Sequence, residues 1–166
     1  VYTLTPQAEE VHLAVPASEW EKGGYHTTWF PDGQKLSMNL NIDREGLRFV
    51  QANYDGSGLG KIMEAPPGSG HPTVHPNGRH ILTDDYVWGP ASFDDGTVPI
   101  RLVDRQTGED TTLVRMRTET EQQNECAALR VDPHPAWDPT NNWVAFNGYA
   151  DGTRRVYVAD MRDHVD

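Results

Sequence analysis

Three segments of this chain superimpose without gaps: His26-Thr-Thr-Trp-Phe-Pro-Asp-Gly33, His71-Pro-Thr-Val-His-Pro-Asn-Gly78 and His134-Pro-Ala-Trp-Asp-Pro-Thr-Asn141. Each reads His, two small or Pro residues, an apolar residue, a variable one, Pro, then a turn pair. A unit copied in register constrains the fold more than any average property, because every copy must build the same piece of structure. The end of the unit is turn chemistry: Pro sets φ at one corner, and Gly or Asn accepts φ > 0 at the next. Each segment therefore reads as a short strand running into a hairpin.

A run with strand character follows each turn, over residues 35–42, 80–86 and 143–147. A second run follows at 47–54, 98–104 and 154–161, and a third, outer run at 60–64 and 111–117 in the first two repeats. Turns such as 43–46 and Asp151-Gly152 separate them. The step from His71 to His134 is longer than that from His26 to His71, so the second repeat carries an insertion, assigned to residues 88–96. With 15 Gly and 12 Pro spread along the chain, no helix longer than about two turns is expected.

Four short antiparallel strands per repeat make the blade of a β-propeller. The expected architecture is all-β, a propeller segment of about three four-stranded blades. Residues 1–24 form an outer strand or linker, 25–69 a blade, 70–130 a blade with an insertion and 131–166 a partial blade. Residues 1–4 or 11–15 are candidates for the missing edge of the last blade. Propellers close with ~4–8 blades, so three blades imply a fragment, a half that dimerises or one piece of a nicked protein.

A net charge of −11 with only 14 scattered Lys and Arg excludes a phosphate-backbone reader, so no nucleic acid partner is expected. No run reaches the ~18 apolar residues of a membrane span. The expected location is the cytoplasm, with a periplasmic or secreted one left open because the sequence does not begin with Met. The single Cys126 offers neither an internal disulfide nor a thiolate zinc site, and reads as a small semi-buried side chain.

His26, His71 and His134 share one place in three successive repeats. Equivalent positions in successive blades turn about one axis, so three imidazoles should meet at one mouth of the channel. The competing reading is that each ring only packs against the neighbouring blade. Asp132 lies two residues before His134, and on an extended strand i and i+2 face the same side. A carboxylate beside imidazoles suits Mn²⁺, Zn²⁺ or Fe²⁺. Glycines before His26 and His71, in Gly23-Gly-Tyr-His26 and Gly68-Ser-Gly-His71, are expected to leave room for a ligand. His75 and His80 read as surface or inter-blade residues, and His12 and His164 as solvated.

The repeated segment resembles the Asp-Pro-Asp-Gly-type repeats of TolB-like propellers over roughly residues 25–161. The order and spacing of His26, His71 and Asp132-Pro-His134-Pro further resemble the C-terminal half of oligogalacturonate lyases, which are seven-bladed propellers. In that family one His is the general base, while a His on the next blade and a His-Pro-His-Pro pair on the one after bind Mn²⁺ with a Gln. The resemblance thus implies His26 as base and His71 and His134 as ligands, with Asp132 standing where the family has His. Leu129 and Arg130 occupy the region of the family's Gln, and Gln122 and Gln123 lie too far upstream, so the fourth ligand stays open.

The implied reaction is metal-assisted β-elimination on a uronate oligosaccharide. A divalent ion, Mn²⁺ or another, is expected to stabilise the charge that develops when the proton α to the carboxylate leaves. A net charge of −11 repels a polyuronate, so Arg130, with Arg101 or Arg48, is expected to supply local positive field. Partners implied are the uronate oligosaccharide and either the other part of a propeller or a second copy. Two alternatives are a non-catalytic, protein-binding propeller of the TolB sort and the propeller of a prolyl-peptidase-like enzyme. The latter has no hydrolase elbow here, since Gly-x-Ser-x-Gly does not occur.

Overall fold

The computed structural model describes residues 1–118 and 130–165. Cys126, Gln122, Gln123 and Leu129 lie outside the described residues. Among those described, the chain is all-β apart from one helical turn, α1 (Ala17–Trp20). A two-stranded sheet pairs β1 (Tyr2–Leu4) with β2 (Val11–Leu13). The first four-stranded blade is β3 (Gly24–Trp29), β4 (Lys35–Leu40), β5 (Arg48–Asn53) and β6 (Gly60–Lys61), in that order. The second is β7 (Thr73–Val74), β8 (His80–Thr83), β9 (Thr97–Asp104) and β10 (Asp110–Arg117). The third sheet has three strands, β11 (Ala136–Trp137), β12 (Trp143–Ala150) and β13 (Thr153–Asp160).

The repeated turn has one geometry in all three copies. Gly33 donates to Phe30 O, Gly78 to His75 O and Asn141 to Asp138 O, each at 2.9 Å. Those donors sit at φ 64°, 70° and 60°, the left-handed region that Gly and Asn tolerate. The insertion at 88–96 is the loop between β8 and β9.

Packing between sheets explains the burial of each strand. Leu36, Met38, Leu40, Val50 and Ala52 of the first blade pack on Ala14 and Val15. Phe49, on the opposite face of β5, joins Phe30, Val74, Ile81 and Val103 between the first and second blades. Leu82, Ile100, Leu102 and Met116 meet Val144, Phe146 and Met161 between the second blade and the third. Alternate residues of β8 and β9 therefore enter different interfaces, and these strands are buried almost throughout because both faces are covered. In β12 burial alternates, and β13 leaves Val156 and Val158 exposed, because this sheet is covered on one face only.

Two expectations are corrected. The N-terminal strands do not complete the last sheet; they pair with each other and dock on the first blade, where Thr3 Oγ1 donates to Tyr54 O at 2.6 Å. The strand expected over residues 80–86 ends at Thr83. Asp84 leaves the ladder because its carboxylate is engaged across the blades, as described next.

Candidate metal centre

His26 stands in a bulge of β3, where pairing with β4 slips between Tyr25 and Thr28. Such a bulge re-aims a side chain. His71 directly precedes Pro72 and β7, and His134 directly precedes Pro135 and β11. The three imidazoles do converge: ring centroids lie 4.1 Å apart for His26 and His71, and 6.3 Å for His26 and His134. His71 and His134 stack at 3.4 Å and 26°. His26 and His134 hold φ of 55° and 45°, and in the middle repeat Gly70, just before His71, holds 57°. The left-handed region costs a non-glycine residue ~1–2 kcal/mol, so the two histidines must be held there by their surroundings.

Asp84 does part of that holding, and nothing in the sequence reading had singled it out. It is 1% exposed. Its carboxylate accepts from His71 N at 2.6 Å, from His71 Nδ1 at 2.9 Å to each oxygen, and from His134 N at 3.0 Å. With Asp84 as the acceptor, the His71 proton is on Nδ1 and its Nε2 presents a lone pair. The glycines before the histidines allow close packing, and Gly68 and Gly70 also border the cavity beside His26. A Cβ on Gly70 would collide with Asp84, one on Gly24 with the Trp20 ring, and one on Gly68 with the Arg48 backbone.

His71, Asp132 and His134 each offer one ligand atom within 4.8 Å of the others. Three atoms bound to one ion at ~2.1–2.2 Å lie within about 3.8 Å of one another, so the set would have to draw in to hold an ion. Asp132 reaches the site by a route other than strand alternation. Residues 130–135 form no strand, and the chain is pinned there by Asn147 N on Pro133 O at 2.8 Å. Arg130, expected to contact substrate, has its Nε on Asp132 Oδ1 at 2.8 Å and its Nη2 on Oδ2 at 2.9 Å. Two imidazoles and a carboxylate fit a borderline divalent ion, provided Asp132 shares an oxygen between that ion and Arg130.

Tyr86 completes the cluster. Its hydroxyl lies 2.7 Å from His26 Nε2 and 3.2 Å from His71 Nε2. Burial first, then the nearby His71 and His134, lowers the pKa of His26 to about 4. His134 is also held below the ordinary imidazole value, by the covered part of its ring and then by His71, although its outer edge is open to solvent. Burial pushes the Tyr86 phenol upward, with Asp132 and Asp84 adding to it. At neutral pH His26 and His134 are thus neutral and Tyr86 keeps its phenol proton.

Of the other expected cations, Arg48 lines the cavity beside His26 and pairs with Asp43 at 3.1 Å. Arg101 is 2% exposed, bound to Asp110 at 3.0 Å and to Pro67 O at 3.1 Å, and lies over the Phe49 ring between the first and second blades. His75 is an inter-blade residue, with Nε2 3.2 Å from Asn141 O and its ring edge-on to Trp137. His80 is buried against Asn77, at 3.0 Å. His12 packs on Tyr54 instead of standing free in solvent, and His164 is exposed.

No protein-family model matches this sequence, and no curated protein sequence matches it. Solved structures do. TolB from Acinetobacter baumannii superimposes with a TM-score of 0.69 at 13% identity, over 98% of this chain and 35% of that one. An oligogalacturonate lyase in complex with manganese superimposes with a TM-score of 0.68 at 16% identity, over 96% of this chain and 40% of that one. The fold is a partial β-propeller. The chain spans well under half the length of either structure.

Within this propeller the repeat marked the three histidines, while Asp84 and Tyr86 went unmarked. A signal was present: Asp84-Asp85 closes the apolar strand His80–Thr83, and two adjacent carboxylates beside a buried strand require donors that a turn alone does not supply.

Proposed function

We propose that this chain carries the catalytic centre of a metal-assisted uronate lyase. His71, His134 and Asp132 hold one divalent cation, Mn²⁺ first among them, and His26 is the base. The observation that carries this reading is the division of labour in the cluster. Three donors gather within 4.8 Å, and a fourth group, His26, lies beside them with its pKa lowered to about 4 and its Nε2 on a phenol. The similar oligogalacturonate lyase was solved with manganese, which supports the choice of ion.

In β-elimination a base takes the proton α to the uronate carboxylate, the C–O bond at the β carbon breaks, and a C=C bond forms between the two carbons. The cation supplies a positive centre for the substrate carboxylate as charge builds. His26 is neutral and accepts the proton without first losing one. Its pKa of about 4 makes it a weak base, so the positive centre beside the substrate carboxylate must carry much of the acidification. With its proton on Nε2, His26 donates to the Tyr86 hydroxyl and keeps the Nδ1 lone pair for the proton taken from the substrate. The departing oxygen takes its proton from water. Arg130 and Arg48 bring positive charge to the same cavity and offset part of the repulsion from a chain of net charge −11. The working unit in this reading is a larger ring of blades.

Metal content after manganese loading and the ultraviolet absorbance of an unsaturated uronide product test the reading. His71→Ala and His134→Ala should lose metal, whereas His26→Ala should keep metal and lose turnover. A second reading, a protein-binding propeller of the TolB sort, is favoured by one observation: the Asp132–Arg130 pair and the Tyr86 bridge satisfy the cluster without an ion. A wild-type protein that stays metal-free after manganese loading sinks the lyase in favour of that reading.

A further inference from the structure

We propose that the loop between β8 and β9 builds a sugar-stacking subsite next to His26, with the indole of Trp88 as its platform and a neighbouring uronate ring as its ligand. The sugar class rests on the lyase reading; the platform itself rests on the loop. An insertion in one copy of a repeat escapes the packing that constrains the others, and such insertions map to one face of a repeat protein, often the binding face.

The loop is built, not slack. Asp85 is fully buried at its base, and its carboxylate accepts from Tyr86 N at 2.8 Å and Ala91 N at 2.7 Å. Gly89 N donates to Tyr86 O at 2.8 Å, and Ser92 Oγ to Gly89 O at 2.8 Å. A Cβ on Gly89 would collide with the Asp85 carboxylate, so the turn closes tightly on that anchor.

This frame presents Trp88 with 66% of its surface exposed. Its ring lies parallel to that of Tyr86, 5.1 Å away at 3°, and the Tyr86 hydroxyl reaches His26 at 2.7 Å. The aromatic stack thus starts at the base and ends on an open indole. Both rings border a cavity of about 720 Å³ that His26, Asn39, Arg48 and Arg130 also line, within the usual range for a small-molecule site. The C–H face of a pyranose matches an indole, and the Arg130 guanidinium, 5.6 Å from the Trp88 ring, suits a ring that carries a carboxylate. Asn39 also borders the cavity; it is 1% exposed and held by its Nδ2, which donates to Gly70 O at 2.7 Å.

Binding of trigalacturonate and of galacturonate monomer to the full chain, by calorimetry with and without Mn²⁺, decides the matter for wild type, Trp88→Ala and Trp88→Phe. Trp88→Ala should weaken trisaccharide binding about tenfold, as loss of one aromatic contact implies. It should leave monomer and metal binding unchanged, and Trp88→Phe should recover most of the loss. If Trp88→Ala binds the trisaccharide as wild type does, the subsite is refuted even where metal and turnover behave as a lyase requires. A wild type that binds no trisaccharide refutes it as well. A wild type without metal or turnover that still shows the Trp88→Ala deficit supports the subsite and refutes only the lyase.

Discussion

Asp84→Asn is the sharpest probe of the centre, because it keeps the shape of the side chain and removes its charge. The carboxylate serves three donors: His71 N and Nδ1 from one side and His134 N from the other. An amide can accept through one oxygen only. If its NH₂ takes the Oδ2 place it faces the His134 N–H, and if it takes the Oδ1 place it faces the His71 N–H. Either way one backbone donor is orphaned in a site that is 1% exposed, at ~1–3 kcal/mol, and the remaining bonds lose charge assistance at about 1 kcal/mol. The sum, ~2–4 kcal/mol, corresponds to a fall in Tm of about 10 °C for a domain of this size. The same amide can donate to His71 Nδ1, which moves the imidazole proton to Nε2 and removes the lone pair proposed to bind metal. Manganese affinity should therefore fall ~10–100-fold, the usual effect of losing a carboxylate behind a ligating histidine. Thermal melts of the metal-free protein, manganese titration and imidazole ¹⁵N–¹H correlation spectra read the three effects separately. A variant that melts within about 2 °C of wild type, keeps the proton of His71 on Nδ1 and binds manganese equally well would refute the role assigned to Asp84.

Phe49→Ala removes a 1% exposed ring from the cluster between the first and second blades; it should cost ~3–5 kcal/mol by urea denaturation, and a loss under about 1 kcal/mol would contradict the inter-blade packing. Stability of the metal-free protein should fall as pH drops from about 6.5 to about 4. Burial lowers the His26 pKa to about 4, so the unfolded chain takes up its proton first in that window; above it both states are neutral and the contribution is flat. His134 is shifted the same way. Asp138 and Asp160, held at about 2 chiefly by Thr140 and Arg162, act only at lower pH. Urea midpoints at pH 7 and pH 5 should diverge more for wild type than for His26→Gln, and equal divergence would count against a buried neutral His26.

What the sequence determined by itself was whatever local chemistry fixes. Pro followed by Gly33, Gly78 or Asn141 demands a left-handed turn residue whatever surrounds it, and the three turns have one geometry. Strands could be read from their neighbours, and copying one unit three times brought His26, His71 and His134 to one place, because a repeat carries its own rotation. Contacts made across blades were not legible. Asp84 lies 13 residues from His71 and 50 from His134, and whether it stays in the β8 ladder or turns to cap both depends on how far apart two sheets pack. The Arg130–Asp132 pair, Tyr86 between two imidazoles and the pairing of β1 with β2 were likewise decided in space. Turn and strand preferences act over a few residues. The partners of a buried carboxylate are set by which distant donors the packed blades bring within 3 Å of it, and only the tertiary structure fixes that.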